Sequence, residues 1–355
     1  MAPTKMVYLF DLPRTNSQLF NKLFAAHPQL EQILMPMIAA SLYGPEAIWR
    51  GRQMCKDAQE TWPGLAEASG LQETETYDVA VKRMEAAVCD AREKVRCGTV
   101  RRQHRITNDW KGKIPWAKDH AINAVPRGVQ DVWLTGEPLP EGLRQNATCF
   151  STEFLDSVTP IFLIRHPALS MPSFYRKAKT ISYNEVDEEV FRLTTTYFWS
   201  RTIFDSYVLR SKTGTAFNGM NVTNGEPSRN RTSNEDCCTP IVIDAADVIY
   251  NTEATVAALC RRLEIDYDGV QLTWDPVPEA ERPADLVMQH YLADLQNSRG
   301  IERRSDKPAE ECMDLDKAQL GWATEFGEET TKSLRSLVDV EIPNYEYLKQ
   351  FKLKA

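Results

Sequence analysis

The chain has 355 residues, 42% of them hydrophobic, and a formal net charge of −8. That length and apolar content can bury a large core, and the acidic balance excludes a nucleic-acid binder held by a global positive field, although an anion pocket needs only local donors. There is no apolar leader and no run of about 18 apolar residues, so a cytoplasmic chain with no membrane attachment is expected.

In chain order, residues 7–12 are an apolar run that predicts a strand. Leu19, Phe20, Leu23 and Phe24 then recur at helical spacing and predict a helix over 17–26, stopped by His27-Pro28. The turn between them carries Pro13, Arg14, Thr15, Asn16 and Ser17, with Gln18 next. A strand feeding a helix N-terminus through a polar, cationic turn suits an anion, because free N–H groups and the helix dipole both favour negative charge. The turn has no glycine and lacks the Gly-x-x-x-x-Gly-Lys-Ser/Thr pattern of the NTPase loop.

Residues 30–70 mix Met35, Met37, Tyr43, Trp49 and Trp62 with Pro and Gly, and each of these apolar side chains reads as an ordinary core residue. Val81, Met84, Val88, Ala91 and Val95 predict a helix over 75–97, with Gly98 as its stop. The basic run from Arg92 to Arg105 reads as a solvated helix end or as a face for an acidic partner.

A strand is expected over 113–117, with Lys118, Asp119 and His120 just behind it. Another is expected over 160–165, ending at Arg165, before a helix over 168–180 that contains Ser173. Further helices are expected over 186–210, 255–263 and 285–298, and a strand over 240–244. Residues 211–239 are polar and rich in Gly and Asn, which predicts a flexible insert. The alternation predicts an α/β fold with a parallel sheet and helices on both faces. The motifs interleave along residues 1–355 with no linker, so a single domain is expected. The eight cysteines form no Cys-x-x-Cys pair, which points away from zinc or dithiol chemistry and towards reduced thiols.

Four of these segments together resemble the sulfotransferases that use 3′-phosphoadenosine-5′-phosphosulfate (PAPS), in particular the bacterial and fungal sulfotransferase-like proteins. Residues 13–17 resemble the family's 5′-phosphosulfate loop. Arg165, Pro167 and Ser173 resemble its 3′-phosphate site, in which a Ser follows the Arg by eight residues. Lys118 and His120 resemble its Lys-x-His strand end, whose His is the catalytic base. Residues 240–249, 255–263 and Thr273-Trp-Asp-Pro276 are similar to its late strand, helix and Trp-Pro turn. The resemblance spans roughly residues 6 to 300.

It implies a three-layer P-loop-like fold and a cytoplasmic enzyme of secondary metabolism. It implies PAPS binding by Arg14, Thr15, Asn16, Ser17, Gln18, Arg165 and Ser173, and catalysis by His120, Lys118 and Arg14. Arg14 stands where many members have Lys, and Ala245, Ala246 and Asp247 where they have Tyr-Glu-Asp. Arg299-Gly300 or Arg303-Arg304 can stand in for the missing late Arg-Lys-Gly segment.

Sulfuryl transfer needs donor and acceptor face to face, cations at the leaving phosphate oxygen, and a base for the acceptor proton. It needs no metal, and no metal-ligand constellation is visible. The imidazole of His120 suits the base at neutral pH, with Asp119 as a neighbour that could orient it. His166 suits a structural role, and His290 either packing or the acceptor pocket. The expected partner is a small, hydroxylated, apolar acceptor, without nucleic acid or membrane. Two other readings stand beside this one. A repurposed fold would hold a nucleotide for elimination or cyclisation. A P-loop kinase or NTPase is disfavoured by the loop, and no Asp-ended strand stands out as a magnesium ligand.

Overall fold

Five runs of apolar residues pair into one sheet: β1 (Met6–Asp11), β2 (Leu30–Leu34), β3 (Ile114–His120), β4 (Val158–Ile164) and β5 (Ile241–Asp244). The computed structural model describes residues 6–48, 74–93, 113–180, 185–213, 239–283, 286–302 and 313–355. The strand order is β2-β3-β1-β4-β5 and every pairing is parallel. All six residues of β1 and all seven of β4 are buried, as a parallel sheet covered on both faces requires.

Side chains alternate between the two faces. Tyr8, Phe10, Ala117, Phe162 and Ile164 enter one core, and Val7, Leu9, Trp116, Ile161 and Leu163 the other. On the second face Phe24 stacks on Trp116 at 4.8 Å between ring centres. A third core joins the Pro167–Thr180 helix to the helices Leu315–Phe326 and Glu328–Lys349. These layers match the expected three-layer α/β, P-loop-like architecture. Among the described residues no helix is long and apolar enough to cross a membrane.

The chain leaves β1 for β2 on one side, returns through β3, and crosses to β4 on the other side. The reversal sets a crevice beyond the C-terminal ends of β3, β1 and β4, where ligands bind in open α/β sheets.

Several expectations need correction. The first helix is shorter than 17–26: it runs Ser17–Leu23 and gives way to turns. An edge strand, β2, lies within the 30–70 stretch, where no strand was expected. β3 continues past residue 117, so Lys118 and His120 lie within the strand rather than behind it.

The single helix expected over 186–210 is two, Glu189–Thr195 and Phe198–Thr213. The buried carboxylate of Glu341 breaks it. Glu341 accepts from the Thr196 hydroxyl at 2.7 Å and from the Tyr197 N–H at 2.8 Å, and the second of these bonds takes a backbone donor from the helical ladder. The 75–97 helix is described over Tyr77–Glu93, with Met84, Val88 and Ala91 buried as expected. The basic run beyond Glu93, most of the 211–239 insert, Trp49, Trp62 and Arg303-Arg304 lie outside the described residues.

Candidate active site

The β1-to-helix turn adopts a backbone that its sequence does not announce. Arg14 (φ 66°) and Asn16 (φ 62°) are both left-handed, although neither is glycine. The buried Thr15 hydroxyl donates to the Leu12 carbonyl at 2.8 Å and ties the turn to the strand end. The turn is held from across the crevice as well, since the Arg165 guanidinium donates to the Arg14 carbonyl at 2.8 Å. Tyr197, placed by the helix break, donates its hydroxyl to the Arg165 carbonyl and accepts from the Arg165 N–H at 2.8 Å.

Arg14, Ser173 and Arg165 therefore converge from three segments. Arg14 Nε donates to Ser173 Oγ at 3.1 Å. Its terminal nitrogens reach the Tyr291 carbonyl at 3.4 Å and the exposed Asp294 carboxylate at 4.0 Å, both on the helix Leu286–Asn297. Burial lowers the Arg14 pKa from its ordinary value, and Asp294 opposes this only in part. On the same helix the His290 carbonyl accepts from Lys177 Nζ at 3.0 Å. Burial, followed by Lys177 and Arg14, lowers the pKa of the His290 ring. Arg14, Arg165 and Lys177 thus bring three cations to this side of the crevice. An incoming anion is favoured there by the groups already present.

The second half of the site is a buried charge network on one face of the sheet. β1 and β3 pair with Asp11 opposite His120 and Leu9 opposite Lys118. Alternation puts Asp11, Lys118 and His120 on the face that carries Leu9 and Trp116. Lys118 Nζ contacts one Asp11 oxygen at 3.1 Å, with both side chains fully buried. The other Asp11 oxygen is hydrogen-bonded to Nδ1 of His120, whose side chain is 23% exposed. Burial alone would raise the Asp11 pKa, but Lys118 and His120, helped by the Ser17 hydroxyl, hold it below the usual carboxylate value.

Asp119 faces the opposite side, and this corrects the expectation that it orients the His120 ring. Its carboxylate accepts from Met37 N–H at 2.7 Å, Asn123 Nδ2 at 2.6 Å and the His120 backbone N–H at 2.9 Å. Burial raises its pKa.

No family model matches the chain. Two curated relatives match it. The sulfotransferase ppzF of Metarhizium rileyi is 27% identical over 281 residues, covering 73% of this chain and 75% of the relative. The sulfotransferase ppzF of Metarhizium majus is 30% identical over 219 residues, covering 59% of this chain and 57% of the relative. The chain is similar to these two fungal sulfotransferases.

Other expected positions fall out differently. Asn16 and Gln18 are half-buried at the turn, and Ser17 is buried beneath it. Arg299 lies at the exposed rim, paired with Asp275 at 3.6 Å with both side chains largely exposed. His166 is structural, as expected: its ring packs on Tyr345 and accepts from the Ala168 N–H at 3.1 Å.

Two strands end in aspartates, Asp11 and Asp244. Asp11 is taken up by Lys118 and His120. Asp244 caps the following helix and accepts from Tyr345 at 2.8 Å. Among the described residues no group of three or more His, Cys, Asp or Glu is placed to hold a metal ion. Asp11, Tyr197 and Glu341 are the site-shaping residues that sequence reasoning missed. The one available signal was an acidic residue closing an otherwise apolar strand.

Proposed function

We propose that this sulfotransferase-like protein is a PAPS-dependent enzyme that sulfates a hydroxyl of a small, apolar metabolite. The observation that carries the reading is the convergence of Arg14, Ser173 and Arg165 on one side of the crevice, with His120 on the strand next to β1. The donor set fits the nucleotide, because two guanidiniums and a hydroxyl in a cation-rich rim suit phosphate groups. PAPS supplies the sulfuryl group and departs as adenosine 3′,5′-bisphosphate.

In this reading Arg165 and Ser173 hold the 3′-phosphate, and the 14–18 turn holds the 5′-phosphosulfate, with Arg14 between the two. His120 takes the acceptor's proton as its oxygen forms the new bond to sulfur. The electron pair of the breaking sulfur–oxygen bond stays on the bisphosphate, next to Arg14. Lys118 is sealed from solvent, so its charge acts through Asp11 beneath the base. Arg299 remains a candidate nucleotide contact from the rim. The same reading takes residues 1–355 as one cytoplasmic domain.

Two experiments test it. Incubation with PAPS and a panel of small hydroxylated compounds should give a product heavier by one sulfuryl group, found by mass spectrometry. Elimination or cyclisation would instead show bisphosphate release with no sulfated product. In addition, Arg165→Ala should weaken adenosine 3′,5′-bisphosphate binding by about 1.5–3 kcal/mol, because a charge-assisted bond is lost. Calorimetry checks this, and an unchanged affinity would remove Arg165 from the phosphate site.

A further inference from the structure

We propose that Asp11 is the positioning residue for His120: it holds the proton on Nδ1 and thereby leaves Nε2 as the proton-accepting atom. The inference deepens the sulfuryl-transfer reading and rests on it for its catalytic consequence. Its structural part stands alone. A neutral imidazole carries one N–H and one lone pair, and the partner of one nitrogen decides which is which. Asp11 is a carboxylate and can only accept, so Nδ1 must donate to it.

The carboxylate is itself fixed. Lys118 takes its second oxygen, the pair is fully buried, and the strand register sets Asp11 opposite His120. With Nδ1 occupied, only Nε2 can accept the acceptor's proton. When it does, the imidazolium that forms faces the Asp11 charge, which stabilises it. Nothing is oxidised or reduced: the proton leaves the acceptor oxygen and ends on Nε2, and the Nδ1 proton stays in place. Asp119, the neighbour in sequence, cannot do this, because its carboxylate lies on the other face of the strand.

The test is nitrogen NMR of the full chain with 15N-labelled histidine, assigned among its five histidines by a His120→Gln variant. The wild-type neutral ring of His120 should be protonated at Nδ1. A ring protonated at Nε2 would overturn the proposal without any variant. Asp11→Asn should then favour the other tautomer, since the amide N–H2 can donate to Nδ1. Turnover should fall by about 10²–10⁴-fold, as expected when a base is held in the wrong tautomer.

Affinity for adenosine 3′,5′-bisphosphate should not change, which separates positioning from loss of the fold. If Asp11→Asn does not fold, the double variant Asp11→Asn, Lys118→Met leaves neither charge unpaired and should show the same tautomer. A tautomer switch with normal turnover would overturn the catalytic part. A wild-type protein that transfers no sulfuryl group would instead bring down the sulfotransferase reading, while the tautomer measurement still decides what Asp11 does.

Discussion

Replacing His120 by alanine should lower sulfuryl transfer by about 10²–10⁴-fold and leave adenosine 3′,5′-bisphosphate affinity nearly intact. The side chain is 23% exposed at the crevice and its Nδ1 is tied to Asp11, so the free nitrogen is available for an acceptor. Arg14, Ser173 and Arg165 are linked to one another and not to this ring. Transfer assays and calorimetry on the same preparation separate the two effects. Normal turnover would make His120 structural. His290, in its cation-rich surroundings on the Leu286–Asn297 helix, would become the next base to test.

Lys118→Met should be the most destabilising single change in the site. It removes one partner of a fully buried ion pair and strands the Asp11 charge, a loss of about 3–5 kcal/mol at neutral pH. The pH dependence fixes the sign. In the native protein the Asp11 pKa is lowered, so its contribution to stability is present above the unfolded carboxylate value and is lost as pH falls through the lower folded value.

Without Lys118, burial is opposed by His120 and Ser17 alone, and the Asp11 pKa should rise above its unfolded value. The carboxyl then penalises the fold at neutral pH, and the penalty fades as pH falls towards about 4. Chemical denaturation of both proteins at several pH values reads this directly. The gap between them should shrink on acidification, and a constant gap would mean that lost packing, not stranded charge, explains the variant.

The sequence revealed what rests on local pattern. β1 and the turn after it were legible because an apolar run meets a polar, cationic turn and then a helical repeat. Arg165 and Ser173 were legible as a strand end and a residue within the following helix. The missed features depend on contacts distant along the chain. Asp11 meets His120 only because β3 pairs with β1 in one register. Asp119 looked like a partner of His120 by adjacency, but neighbouring residues in a strand point to opposite faces.

The break at Thr196–Tyr197 comes from Glu341, which lies 145 positions beyond Thr196. Helical periodicity within the 186–210 segment carries no trace of it. β2 escaped because an edge strand with only Leu30 buried lacks the unbroken apolar run of an inner one.

The central claim is that the crevice is built for a nucleotide with phosphates at both the 3′ and 5′ positions. Calorimetric titration of the full chain with adenosine 3′,5′-bisphosphate, AMP and ATP, without magnesium, tests it most directly. The bisphosphate should bind more tightly than either of the others, because only it reaches both the 14–18 turn and the Arg165–Ser173 pair. Equal affinity for AMP and the bisphosphate, or binding of ATP alone and only with magnesium, would contradict the account.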